Sequence, residues 1–293
     1  TFPCPTLFRS GAAFTVFVIN EAYHPSPYFK VQYWRSRNIQ ASLLSLVGIL
    51  AICGLLSELP ATYLEEIRGY RPLQTAPVSL VVALPQLLML PLIAAICNSA
   101  RVDCRYILAG GMLCLGAASW LGTWLTPDWV RDNFYPLQIL QVFGQPMTVI
   151  PTLMLATLAL GPADGPFISG MVNMLKGLAN AVAFALFSVL TRRREQYHST
   201  MLLDHHGTQA QALQGLGNPI TQQLSGISPD SGRVAHNSLE VFHTYVHEQS
   251  LVLSLADIYF LLIWACLGYA ALNLILPRRV YPPRPPSAVA PAP

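Results

Sequence analysis

Four stretches of this chain, Asn38–Ser57, Pro72–Ala100, Tyr106–Pro127 and Asn133–Ala163, contain no Asp, Glu, Lys or Arg. Each reaches the roughly 20 residues that a helix needs to cross the hydrocarbon core of a bilayer. A water-soluble domain carries about 25% charged residues; here they make up 11% of 293 and are segregated between apolar runs. The pattern excludes a soluble enzyme, a disordered tail and a disulfide-stapled secreted domain. The formal net charge of +3 is too small to imply a nucleic-acid partner.

Apolar runs long enough to span fall at about 40–63, 73–98, 106–126, 135–160, 167–190 and 252–276. Backbone groups cannot remain unpaired in lipid, and these runs lack the alternation of a barrel strand, so they predict helices. The expected fold is all-α, a polytopic membrane bundle of six transmembrane helices. Upstream, residues 11–39 read as the end of a preceding span followed by a loop. Thr1–Ser10 resembles a translated sequencing adapter and is expected to be an assembly artefact. Residues 40–190 hold five spans, and 251–276 hold the sixth. Between them, 191–250 is far longer than an ordinary connection and predicts an extramembrane hairpin of two amphipathic helices around a Gly/Pro/Ser-rich centre, Gly215–Gly232. The Pro-rich residues 277–293 read as an extended tail. Six spans place both ends on one side of the membrane. Lysines and arginines divide eight to seven between the two sides, which leaves orientation open.

Few polar residues remain inside the spans, and most of them are aligned. Gln138, Gln141, Gln145, Thr148 and Thr152 fall on one helical stripe, beside Pro146 and Pro151. Amides are costly against lipid, so the stripe is expected to face other helices or a water-filled cavity. Interhelical hydrogen bonding that merely holds the bundle together is the alternative. Asn173, Lys176 and Asn180 form a second stripe, with Gly170 and Gly177 on the same face implying close helix packing. Lys176 either meets an anionic group or snorkels to the interface. Glu58 and Asp257 are carboxylates near span ends, candidates for proton or charge coupling or for simple interfacial solvation. The long loop holds Asp204, His205, His206, His236, His243 and His247. His243 and His247 have ligand-like spacing for zinc, but no Glu stands where a metalloprotease needs its base, and no metal is expected. No phosphate loop, nucleophile elbow or dinucleotide fingerprint is present, so neither an enzyme nor a cofactor is expected.

Several segments, taken in order, resemble the fourteen-span drug:proton antiporters of the major facilitator superfamily, the EmrB/QacA type. Phe29–Ile39 (FKVQYWRSRNI) is similar to the family's basic lead-in to a span. Tyr63–Leu73 (YLEEIRGYRPL) is similar to its outer loop, with Glu65 where Gln is usual. Asn98–Tyr106 (NSARVDCRY) is similar to its short cytoplasmic loop, which places Arg101, Asp103 and Arg105 in the cytoplasm. Gln141–Pro146, Ser169–Gly177 and Ala256–Phe260 match later motifs, with Lys176 where Arg is usual. The resemblance covers about residues 15–280. It implies a multi-pass protein of the cell inner membrane that exports small amphipathic drug-like compounds in exchange for protons, with a periplasmic adaptor protein as a further partner by family analogy. Only the C-terminal half is represented. Alternating access needs a second half to rock against, so the chain is expected to require a missing N-terminal half. The alternative is a membrane-embedded structural or partner-binding subunit whose long loop engages another protein.

Overall fold

The computed structural model describes residues 12–13, 15–17, 19–20, 37–99, 102–157, 165–207 and 231–275. Thr1–Ser10, most of Phe29–Ile39, Arg101, 208–230 and the tail 277–293 lie outside the described residues, as do the side chains of Asp204, His205, His206, His236 and His243.

Among the described residues the chain is all-helical. The long helices are α1 (Arg37–Glu66), α2 (Pro72–Cys97), α3 (Cys104–Gly122), α4 (Tyr135–Thr157), α5 (Gly165–Gly207) and α6 (Ser231–Ile275), with a 3-10 turn at Arg131–Phe134 before α4. Five of them, all but α4, are long and apolar enough to cross a membrane, which makes this a multi-pass membrane protein. In α4 the three glutamines lower the average, yet this helix packs against α1, α2 and α3 in the middle of the bundle. The helix that carries the buried amides thus packs against three others, as expected where lipid offers amides no partner.

Local chemistry sets the helix ends. Pro72 opens α2, and the Gln74 side chain accepts from the Arg71 N–H at 2.9 Å. Asp103 caps α3 by accepting from the Arg105 N–H at 3.1 Å. Gly69 takes φ 64 between α1 and α2, where a side chain would be strained. The two helices that flank residues 208–230 continue well past the expected span ends, so α5 runs for 43 residues and α6 for 45.

The core joins α1, α3 and α6 through Leu56, Leu59, Met112, Leu115, Leu255 and Ile258. Close crossings are set by small residues. A Cβ on Gly111 would lie 2.7 Å from Met147 Cβ and 2.9 Å from its backbone carbon, and one on Gly144 would lie 2.7 Å from Leu115, so α3 and α4 meet almost backbone to backbone. Gly122 lies against the Tyr259 ring in the same way. By contrast, nothing among the described residues lies within 4 Å of a Cβ on Gly170 or Gly177, so the close packing expected of that pair is found on other helices.

Burial is uneven. In the most apolar stretch of α1 and of α3, 56% is buried, against only 17% in α2 and in α5. Those two helices present exposed Leu80, Leu84, Leu87, Met174, Leu178 and Phe184.

Replacing Gly111 with Val should lower stability by about 1–3 kcal/mol through overpacking at a crossing that cannot widen cheaply. Gly177→Ala should leave stability unchanged or slightly higher, since Ala is the better helix former. Thermal unfolding of the purified protein, followed by helical circular dichroism, separates the two; equal losses would contradict the assigned crossing.

Candidate functional site

The α4 stripe stays together. Gln138, Gln141, Thr148 and Thr152 are buried and Gln145 is half-buried. Thr148 Oγ1 lies 3.0 Å from the Gly144 carbonyl and 2.9 Å from that of Gln145, and Thr152 Oγ1 donates to the Thr148 carbonyl at 2.7 Å. Both hydroxyls therefore donate to their own helix, and Gln141 and Gln145 are left to reach other elements.

Gln141 does so at a defective point in α1. Pro60 has no N–H to give to the Leu56 carbonyl four residues upstream. Gln141 Nε2 reaches that carbonyl at 3.4 Å. Gln145 Nε2 in turn donates to Gln141 Oε1 at 3.2 Å, and Gln86 Nε2 on α2 donates to Gln145 Oε1. Three helices are thereby joined by amides donating in one direction, from Gln86 through Gln145 and Gln141 to the freed carbonyl.

Beside this chain is a cavity of about 210 Å³ between α1, α2 and α4, lined by Ser57, Ser79, Val82, Ala83, Gln86, Gln138 and Gln145. Gln86, Ser57 and Ser79 were not singled out in the sequence. Ser79 and Gln86 stand seven apart, two turns on one face of α2, and that spacing is the signal that could have found them.

Other candidates lie elsewhere. Asn173, Lys176 and Asn180 form an exposed stripe on α5. Glu58 is exposed, one residue beyond the cavity-lining Ser57. Asp257 sits between α5 and α6, its Oδ2 3.1 Å from Arg194 Nη1 and 2.8 Å from His198 Nε2. A second cross-helix contact joins His247 Nδ1 to Glu195 Oε1 at 2.8 Å. Asp103 and Arg105 pair at the head of α3, with Arg105 Nη2 3.2 Å from Asp103 Oδ2. Among the described residues no group of three His, Cys, Asp or Glu side chains is placed to hold a metal.

No protein-family model and no curated protein matches the chain. Among solved structures it is similar to a bacterial homolog of the human lysosomal transporter Spinster, captured in an inward-facing, unoccupied conformation. The TM-score is 0.55 and the identity 12%, over 84% of this chain and 50% of that one. The chain therefore shares the helical fold of part of that structure and spans about half of its length.

If Gln141 repairs the defect left by Pro60, the two positions are coupled. Gln141→Leu should cost about 1–2 kcal/mol, because a carbonyl in the bundle loses its donor. The same change in a Pro60→Ala background, where residue 60 regains an N–H, should cost about 1 kcal/mol less. A double-mutant cycle by thermal unfolding reads the coupling, and additive losses would remove the assigned role.

Proposed function

We propose that the chain is the C-terminal half of a proton-coupled multidrug efflux transporter of the EmrB/QacA type, exporting amphipathic compounds across a cell inner membrane by alternating access. The observation that carries this reading is the pair of helices with uncovered faces, α2 and α5, in a bundle whose amide stripe is buried. A bilayer would cover the leucines of α2 but would leave Asn173, Lys176 and Asn180 on α5 unpartnered, at about 2.5–3.5 kcal/mol for a cation near the centre of a span. A second six-helix half, docked over α2 and α5, would supply those partners and cover the open flank of the cavity that α4 lines. The EmrB/QacA assignment rests on the ordered motifs of the sequence, and the half-length likeness to a transporter supports the broader class. Glu58 and Asp257 are the carboxylates available for proton coupling.

A second reading is favoured by one feature. Helices of 43 and 45 residues exceed what a bilayer needs, and their prolonged ends form a surface on which a periplasmic adaptor or another protein would dock. It treats the chain as a membrane-embedded partner-binding subunit.

Cells stripped of their own efflux pumps, loaded with the uncharged dye Nile red and given an imposed pH gradient, test the transport reading. The chain co-expressed with an N-terminal six-to-eight-span half encoded upstream should export the dye, and a protonophore should abolish export. Gln141→Leu together with Gln145→Leu should reduce the rate at least tenfold at equal membrane abundance. Lys176→Met should shift the pH profile if the charge is used. Export untouched by the glutamine changes would sink the cavity assignment; no export from the paired halves would favour the subunit.

A further inference from the structure

We propose that the cavity between α1, α2 and α4 selects an uncharged hydrogen-bonding group, such as a carboxamide, sulfonamide or hydroxyl carried on an apolar body. This deepens the transport reading and rests on it. The argument begins with Gln138. Its side chain lines the cavity and is only 3% exposed, yet it makes no hydrogen bond among the described residues. The little surface it keeps is at the cavity, where its amide offers two donors and a carbonyl acceptor at one place.

The neighbouring amides cannot relieve it. Their donors are committed inward, Gln86 to Gln145, Gln145 to Gln141 and Gln141 to the Leu56 carbonyl. Gln86 Oε1, at the head of that chain, has no donor among the described residues. Ser57 Oγ gives its proton to the Cys53 carbonyl at 3.0 Å and keeps a lone pair. The lining therefore asks for a group that both gives and accepts. Val82 and Ala83 supply the apolar wall.

Charge is unwelcome there, because none of the lining residues is ionisable. The carboxylate of Glu58 belongs to an exposed residue outside the lining, and Lys176 belongs to α5. A quaternary ammonium or phosphonium has no proton to give to Gln138 and would lose its hydration without compensation. At about 210 Å³ the cavity is below the roughly 300 Å³ of a drug-sized pocket, so it fits one end of a molecule. Exposed Ser57, Ser79 and Ala83 border the side from which the apolar remainder would extend along α2.

The cavity is built wholly from this chain, so the full chain in lipid nanodiscs suffices for a test. Dansylamide, a neutral sulfonamide, should bind saturably by fluorescence titration. Tetraphenylphosphonium should fail to displace it. Gln138→Leu should weaken dansylamide binding roughly tenfold, the worth of one or two desolvated hydrogen bonds. Gln86→Met provides the same reading should Gln138→Leu misfold. Displacement by tetraphenylphosphonium at concentrations similar to dansylamide, or wild-type affinity in the folded variants, would overturn the selectivity. Failure of the two readings can be told apart. Gln138-dependent binding without Nile red export by the paired halves overturns transport and keeps the ligand class; export without dansylamide binding overturns the ligand class alone.

Discussion

A carbonyl without a donor organises the centre of this bundle. Pro60 leaves the Leu56 oxygen unpaired inside α1, and in hydrocarbon such a group costs several kcal/mol. Water cannot supply the donor at a buried contact between helices, so another helix must. Gln141, fully buried on α4, reaches it. Once its Nε2 is committed, its Oε1 needs a donor in turn. Gln145 satisfies that acceptor, and Gln86 satisfies the next, so the demand is handed across α4 to α2. The helix bearing these amides lies against α1 and α2 because Gln141 and Gln145 find their partners there.

The same need for partners makes the glycines specific. For Gln141 to lie within reach of α1, α4 must sit deep in the bundle, and α3 must let it in. Gly111 and Gly144 permit this by bringing the α3 and α4 backbones together. The α2 and α5 faces are left uncovered, and there Gly170 and Gly177 meet nothing among the described residues. Glycines that look alike in the sequence therefore have two different fates, decided by which helices this chain itself supplies.

Much of this was legible in advance, for reasons that depend on the residue. Uncharged runs predict helices because lipid allows little else, and the α4 stripe is visible because five polar residues share one periodicity. Asp103 reads as part of a short loop and proves to cap α3. Gln86 escaped notice because a lone amide in an apolar run looks accidental until its partner is known, and its partner is 59 residues away. The length of α5 was hidden by Arg192, Arg193 and Arg194, which read as the end of a span. Arginine is a good helix former, so charge ends the membrane segment without ending the helix. The role of Pro60 was hidden too, since a proline marks a defect without naming the side chain that repairs it.

Depth along the helices brings these features into one relation. At about 1.5 Å per residue, Gln138 and Gln145 lie roughly 5 and 15 Å from the start of α4, and Ser79 and Gln86 roughly 10 and 20 Å from the start of α2. Both helices start at the same end of the bundle, where the α1–α2 and α3–α4 turns meet. There Tyr63 Oη donates to the Thr126 carbonyl at 2.7 Å, Arg68 Nε donates to the Trp129 carbonyl at 2.9 Å, and the Phe134 ring packs at 5.4 Å from Tyr63 and 5.2 Å from Trp129. The cavity thus lies in the half of the bundle nearest this bonded corner. Parting the two turns would break bonds held by a fully buried tyrosine, whereas among the described residues the uncovered sides of α2 and α5 carry no such ties. Within this chain the cavity is therefore easier to reach from its flank than through its corner.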